Sequence, residues 1–154
     1  KLQLKIPAVK NLVVKNASAM MARTLSTLLT AGVPLNEAVG IVAGTMTNIW
    51  FKEALQEATE QIMIGVPLSH PLQNCGLFPP MVYYMVRIGE EAGSTEEMLN
   101  KLADYYEEEV ELAVQSLMAA MEPMIIIVLA VVVGGLIAAT MAPMMKMYEA
   151  LDNL

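Results

Sequence analysis

Carboxylate side chains are the groups in this sequence that could most readily do chemistry. Residues 89–98 read GEEAGSTEEM, with two glutamates on each side of a Gly-Ser pair. Two neighbouring carboxylates, such as Glu90 and Glu91, could act as a general acid and a general base. Together with the acidic run 107–109, they could also supply oxygen ligands for Ca²⁺. No basic or nucleophilic constellation stands nearby in the sequence, so we predict no catalytic residue, no metal site and no cofactor.

The Gly-Ser pair in the same stretch predicts a joint between two helices. We expect Gly89 and Gly93 to end the fifth helix and Ser94 to begin the sixth. Glu97 follows Ser94 at the spacing of a capping box, in which each side chain bonds a backbone amide near the other residue. Glu97 and Lys101 also have the spacing and order of a favourable i,i+4 ion pair. Helix capping does not explain the other acids. We predict that four of them lie on acidic faces that bind another protein: Glu90, Glu91, Glu107 and Glu108.

The tetrapeptide GVPL occurs twice, at residues 32–35 and 65–68. Glycine readily takes the left-handed conformation that ends a helix, and proline fits the first turn of the next one. Both copies therefore predict a place where one helix stops and another starts, with joints at Gly32, Pro34, Gly65 and Pro67.

Between these joints, apolar residues recur at helical spacing, and no stretch shows the alternation of a strand. The first helix is predicted to begin at the cap residues Asn16 or Ser18, and the third at Asn48. The sixth helix has an apolar stripe, whose members are Leu99, Leu102, Tyr106, Val110, Ala113 and Leu117. We predict an all-α fold, a compact bundle of about six helices whose last helix continues into a single transmembrane helix.

Residues 123–145 contain no charged side chain. As a helix they would reach about 34 Å, enough to cross about 30 Å of hydrocarbon. Ala130, Gly134 and Ala138 recur every four residues, a spacing that lets two membrane helices approach closely. Pro123 removes one backbone hydrogen bond where this segment begins. The sequence therefore predicts a membrane-spanning helix that packs through its small residues.

Charge is distributed unevenly along the chain. Residues 1–23 carry five bases and no acid, which points to a membrane surface or a cytosolic flank, whereas residues 24–122 carry three bases and fourteen acids. An acidic body argues against binding nucleic acid, whose phosphates it would repel. The lone histidine, His70, and the lone cysteine, Cys75, predict neither a metal site nor a disulfide.

These observations divide the chain into a basic linker (1–15), a helical-bundle domain (16–122), a transmembrane helix (123–145) and a short tail (146–154). Because the sequence opens on Lys1, we expect it to be a piece of a longer protein.

Three segments together resemble a known family: TLLTAGVPLNEAV, FPPMVYYMVRIGEEAGSTEEMLNKLADYYEEEV and MEPMIIIVLAVVVGGLIAATMAPM. They are similar to the F-domain proteins of type II secretion and type IV pilus machines, which are inner-membrane platform proteins. The resemblance covers about residues 5–150 and points to the second of the family's two helical domains with the last membrane helix. Thr95 departs from the leucine that is usual in the family.

The resemblance implies a protein without catalytic activity in the bacterial inner membrane, with a cytosolic bundle and a C-terminus on the outer side. It implies coupling of a cytosolic assembly ATPase to the polymerisation of pilin or pseudopilin subunits. Other expected partners are inner-membrane machine components, further copies of the chain and the lipid bilayer. Two alternatives stay open on the residues alone: a membrane-anchored helical receptor or adaptor, and a carboxylate–metal membrane enzyme.

Overall fold

The computed structural model describes the backbone from Pro7 to Asp152 and the side chains from Lys10 to Tyr148. The described residues form no strand and are mostly helical, which confirms the all-α prediction. The six helices are α1 (Pro7–Thr30), α2 (Leu35–Thr45), α3 (Ile49–Met63), α4 (Ser69–Asn74), α5 (Pro80–Ala92) and α6 (Thr95–Asp152). The chain divides into two compact units, Lys1–Ala113 and Val114–Leu154.

Helix α1 begins earlier than predicted. The cap assigned to Asn16 or Ser18 is wrong, because the helix already begins at Pro7, within the segment predicted to be a linker. Proline is tolerated in a first turn since its missing amide has no partner there. Ser18 is buried, and its hydroxyl donates to the carbonyl oxygen of Val14 at 2.9 Å. A serine hydroxyl that donates to the carbonyl four residues earlier lies inside a helix and cannot be its N-cap.

The two GVPL segments end one helix and lead into the next. Gly32 and Gly65 have φ angles of 81° and 90°, in the left-handed region. The amide of Val33 donates to Leu28 at 3.0 Å, and that of Val66 donates to Gln61 at 3.0 Å, so both turns close with the same bond pattern. Pro34 is the N-cap residue of α2, and Pro67 lies just before α4. Repeating the tetrapeptide therefore repeats the turn.

Gly89 lies inside helix α5 and does not end it, contrary to the prediction. The helix ends instead at Gly93, which has a φ of 69°, and the Gly89 carbonyl accepts the amide of Ser94 at 2.8 Å. A Cβ atom on Gly89 would lie 2.7 Å from the Cα of Thr95 and 3.2 Å from the Cβ of Met98. Gly89 thus lets the backbones of α5 and α6 approach more closely than any side chain would allow.

The core of the first unit is formed by the apolar faces of all six helices. Leu99, Leu102 and Tyr106 are buried, which confirms the beginning of the predicted stripe of α6. The stripe does not stay buried, however, because Leu117 is 39% exposed. In α3 the side chain of Asn48 accepts the amide of Trp50 at 3.0 Å, as the predicted cap requires. The sequence pattern therefore identified the core-facing side of α6 correctly, but it predicted burial as far as Leu117, beyond the end of the core.

The second unit consists of the remainder of helix α6. The helix contains both Pro123 and Pro143, and residues 95–152 form one element, which confirms the prediction that the last helix of the bundle continues into the apolar segment. Among the described residues, α6 is the one helix whose length and composition would let it cross a membrane, with a mean hydropathy of 2.8 in its most apolar window. Its apolar side chains between residues 124 and 148 are exposed. The predicted membrane segment, 123–145, lies within this helix.

Candidate functional site

The carboxylates that could have done chemistry do not converge on one place. In the part of the chain that the structure describes, no three His, Cys, Asp or Glu residues lie close enough together to hold a metal ion. The calcium hypothesis, which needed Glu90 and Glu91 beside the run 107–109, therefore has no cluster of ligands to support it. Several of these acids instead have partners within the first unit.

Glu90 holds the start of helix α4. Its carboxylate oxygens accept the backbone amides of Leu68 at 2.5 Å and Ser69 at 3.3 Å. Both of these residues are buried, so water cannot easily satisfy their amides. This carboxylate, which was predicted to face a partner, is already committed to the fold. The sequence contained one signal for this role: Pro67 and Pro71 leave room only for a short helix without a side-chain cap of its own.

Arg23 on helix α1 binds a charged strip of helix α6, which consists of Asn100, Asp104 and Glu107. Its Nε and Nη2 donate to the two carboxylate oxygens of Glu107, both at 2.8 Å. The same guanidinium donates to Asp104 at 2.5 Å and to the side-chain oxygen of Asn100 at 2.6 Å. The hydrogen bond from Arg23 holds the pKa of Glu107 below its usual range, and the pKa of Arg23 is raised by the same bond. A guanidinium in this bidentate geometry fixes the orientation as well as the distance of two helices.

Further polar contacts follow the same pair of helices. The Nζ of Lys15 lies 2.5 Å from a carboxylate oxygen of Glu109, and the hydroxyl of Thr30 donates to Glu96 at 2.6 Å. Within the first unit, therefore, α1 and α6 run antiparallel and are joined from one end of the contact to the other. Two residues of the basic arm, Lys15 and Arg23, thus pair with acids of α6. Lys1 and Lys5 lie outside the described residues, and the location of the arm at a membrane surface or cytosolic flank stays a prediction.

Replacing Arg23 with glutamine should lower the free energy of unfolding by about 1 kcal/mol at neutral pH, because the side chains are well exposed and such pairs contribute little each. Glu107 has a folded-state pKa below its unfolded value. Its stabilising contribution is therefore complete above the unfolded pKa and is lost as pH falls through the folded one. The difference between parent and variant should shrink below about pH 4.

Denaturant titrations of the detergent-solubilised chain at neutral and acidic pH would measure this difference. Lys10→Gln is the matched control, since it removes one charge from an exposed position of the same helix. An equal loss in both variants, or a difference that does not change with pH, would contradict the assigned role of Arg23.

Glu97 pairs along its own helix and does not complete a capping box. Its carboxylate lies 2.7 Å from the Nζ of Lys101, the predicted i,i+4 pair, and this hydrogen bond lowers the pKa of Glu97. The side-chain hydrogen bonds of the described residues do not include one between Ser94 and the amide of Glu97. Ser94 remains the residue between the two helices, and the first turn of α6 has Glu96 and Glu97 near its positive end.

Three of the four predicted partner-binding acids, Glu91, Glu107 and Glu108, are exposed, and Glu107 is paired with Arg23. Glu108 follows the paired Glu107, and Glu91 lines a shallow cleft with His70 and Arg87. Neither residue has a salt bridge within the described part of the chain. They stay candidates for an interaction surface, whereas Glu90 and Glu107 are bound within the first unit.

A second cleft is lined by the end of α1 and the start of α6. Its walls include the hydroxyl groups of Ser26, Thr30 and Ser94 and the carboxylates of Glu96 and Glu97. The hydroxyl of Thr30 donates to the carboxylate of Glu96 at 2.6 Å, and the hydroxyl of Ser26 donates to the backbone carbonyl of Glu96 at 3.4 Å. Both hydroxyls therefore join α1 to α6.

The small residues of the apolar helix are open to a neighbour. Ala130, Gly134 and Ala138 lie four residues apart, so they share one side of the helix. A Cβ atom on Gly134 would meet nothing within 4 Å. Another helix could therefore approach the backbone here without displacing any part of this chain.

An all-helical bundle unit and an apolar helix long enough to span a bilayer define a class of membrane-anchored helical proteins. The family model described as type II secretion system protein F matches residues 21–143, and the chain belongs to this family. The resemblance drawn from the sequence segments is thereby confirmed.

Individual relatives agree with this assignment. The chain is 46% identical over 94% of its length to the type IV pilus assembly protein PilC of Pseudomonas aeruginosa, and 45% identical over 99% to that of Thermus thermophilus. It is 32% identical over 84% of its length to the type II secretion system protein F of Aeromonas hydrophila. The chain spans 38% of the length of each of the first two relatives.

Proposed function

We propose that this chain is part of a platform protein that assembles type IV pili or type II secretion pseudopili in the bacterial inner membrane. The observation that carries the proposal is its 46% identity, over nearly its whole length, to a type IV pilus assembly protein. In this role the protein has no catalytic activity and couples a cytosolic assembly ATPase to the polymerisation of pilin or pseudopilin subunits. Exposed Glu91 and Glu108 are candidate contacts for these partners.

A pilus machine is the first candidate of the two. The identity to pilus assembly relatives reaches 46% and 45%, whereas it is 32% to a secretion relative from Aeromonas hydrophila. In the proposed arrangement the bundle is cytosolic, the apolar helix crosses the inner membrane, and the C-terminus lies on the outer side. Further copies of the chain and other inner-membrane components complete the machine.

Within this function, the small-residue face of Ala130, Gly134 and Ala138 is proposed to pack against another membrane helix. Gly134→Ile keeps the segment hydrophobic, so insertion should stay favourable. The added side chain should nevertheless hold a neighbouring helix away, because close approach depends on the missing side chain. We expect normal membrane levels with pilus or secretion output reduced about tenfold or more, as a loss of roughly 1.4 kcal/mol in packing would produce.

The experiment is to delete the gene for the full-length protein and complement it with the parent or the Gly134→Ile variant. Pilus number, secreted protein and membrane level are measured in the same cells. Unchanged output after deletion would refute the platform function. Full output from Gly134→Ile would show instead that the helix is only a tether, as in a membrane-anchored adaptor. Val131→Ile, a change on the same helix that leaves the glycine intact, is the matched control.

A further inference from the structure

Helix α3 presents an outward face that none of the contacts described so far uses. Phe51, Leu55 and Ala58 bury the opposite side of this helix in the core. The outward face consists of residues spaced three and four apart, so they form one row along the helix. We call this row the α3 outer face; its members are Trp50, Glu53, Glu57, Glu60 and Ile64.

The middle of the α3 outer face is acidic, and no cation of the described residues forms a salt bridge with it. Glu53, Glu57 and Glu60 are all exposed. None of the salt bridges among the described residues reaches them, although Glu57 accepts a hydrogen bond from Gln61 at 3.4 Å. This differs from α6, where Glu107 and Glu109 face cations of α1. Three unbalanced carboxylates in a row attract a partner that carries positive charge.

Both ends of the α3 outer face are apolar and exposed. Trp50 is 44% exposed at the start of the helix, and Ile64 is 80% exposed just beyond its end. At 1.5 Å per residue the two lie about 21 Å apart along the helix axis. A tryptophan with an exposed ring is typical of the anchors that dominate protein interfaces. The face therefore combines two apolar ends with a charged centre.

We propose that the α3 outer face docks a basic amphipathic helix of another protein. Lysine or arginine side chains spaced three and four apart on that helix would lie opposite the three glutamates, as in charged pairs between adjacent helices. Apolar residues about four turns apart would cover Trp50 and Ile64. Anionic lipid and nucleic acid are unsuitable occupants, because the carboxylates repel both. The identity of the partner as a component of the assembly machine rests on the proposed function.

Trp50 allows a direct test, because it is the only tryptophan in the chain. The probe is a synthetic helical peptide with lysines at the spacing of the three glutamates and a leucine at each end. When it is added to the chain in non-ionic detergent, Trp50 emission should shift to shorter wavelength. The variant E53Q/E57Q/E60Q should bind about tenfold more weakly or worse, and salt should weaken binding to the parent chain.

Two controls make the titration specific. Glu122→Gln removes one exposed charge from the second unit and should leave the affinity unchanged. A peptide with glutamate in place of lysine should cause no shift. The proposal is overturned if the basic peptide gives no shift up to about 1 mM, or if it binds E53Q/E57Q/E60Q as tightly as the parent.

In cells, a photo-crosslinking residue at exposed Gln56 should capture a segment that carries several lysines or arginines at helical spacing. Capture should be lost in E53K/E57K/E60K and restored when the captured segment's cations are exchanged for glutamates. Capture of a neutral or acidic segment would overturn the proposal. Full pilus or secretion output from E53K/E57K/E60K, in cells where deletion abolishes it, would overturn the docking face and leave the platform function standing. Unchanged output after deletion would instead refute the platform function.

Discussion

Replacing Gly89 with alanine should destabilise the first unit by about 1–3 kcal/mol, the cost of forcing extra atoms into a packed interior. The new Cβ would lie 2.7 Å from the Cα of Thr95, a backbone atom that cannot rotate away. Helices α5 and α6 would have to separate, and the adjacent turn at Gly93 would move with them. Gly89→Val should cost more, because its branched side chain adds two methyl groups at the same place.

Gly44→Ala provides the matched control for this prediction. Gly44 also lies inside a helix, α2, but an added Cβ would meet nothing within 4 Å. Alanine has the higher helix propensity, so this variant should be as stable as the parent or up to about 1 kcal/mol more stable. Denaturant titrations of the detergent-solubilised chain would compare the two. Similar stability for Gly89→Ala and Gly44→Ala would show that α5 and α6 are not in close contact at Gly89.

Glu90→Ala should cost about 2 kcal/mol, because it leaves the buried amides of Leu68 and Ser69 without an acceptor. Both amides now bond to the Glu90 carboxylate, and the six-residue helix α4 has no side-chain cap of its own. Glu90→Gln keeps one acceptor oxygen and should lose less than the alanine variant. Local hydrogen exchange at residues 68–69 should accelerate in Glu90→Ala before the rest of the unit opens.

The adjacent acid supplies the comparison. Glu91 is exposed and has no salt bridge in the described part of the chain, so Glu91→Ala should change the stability by less than about 0.5 kcal/mol. Thermal unfolding of the two alanine variants side by side would measure the difference. Equal stability would mean that the Glu90 carboxylate does not hold α4, and Glu90 would then return to the candidates for a partner contact.

The features that could be predicted from the sequence are those set by neighbouring residues. The turns at Gly32 and Gly65 depend on a four-residue segment, and the cap at Asn48 depends on an amide two residues away. Apolar spacing along α6 likewise placed Leu99, Leu102 and Tyr106 in the core. In each case the physical cause lies within one or two helical turns, so a single stretch of sequence contains it.

The roles that could not be predicted depend on residues far apart in the chain. Glu90 caps a helix that begins 21 residues earlier, and Arg23 binds Glu107 across 84 residues. Spacing within one helix contains no information about which other helix packs beside it. Glu90 and Glu107 were therefore interpreted as contacts for another protein, and the residues that each binds within the first unit could not be predicted. The α3 outer face was not predicted either. Its glutamates can be recognised as unpaired only after the salt bridges of the other acids are known.

The contacts between α1 and α6 also impose an order on synthesis at the ribosome. Lys15 is made before its partner Glu109, which follows 94 residues later. At translation rates of about 5–20 residues per second, this interval lasts roughly 5–20 s. During that time α2 can already pack against α1, but Lys15 and Arg23 have not yet met their partners on α6. The charged strip that completes the first unit is followed within a few turns by the apolar part of α6, so the nascent bundle can close only as the membrane segment is being made.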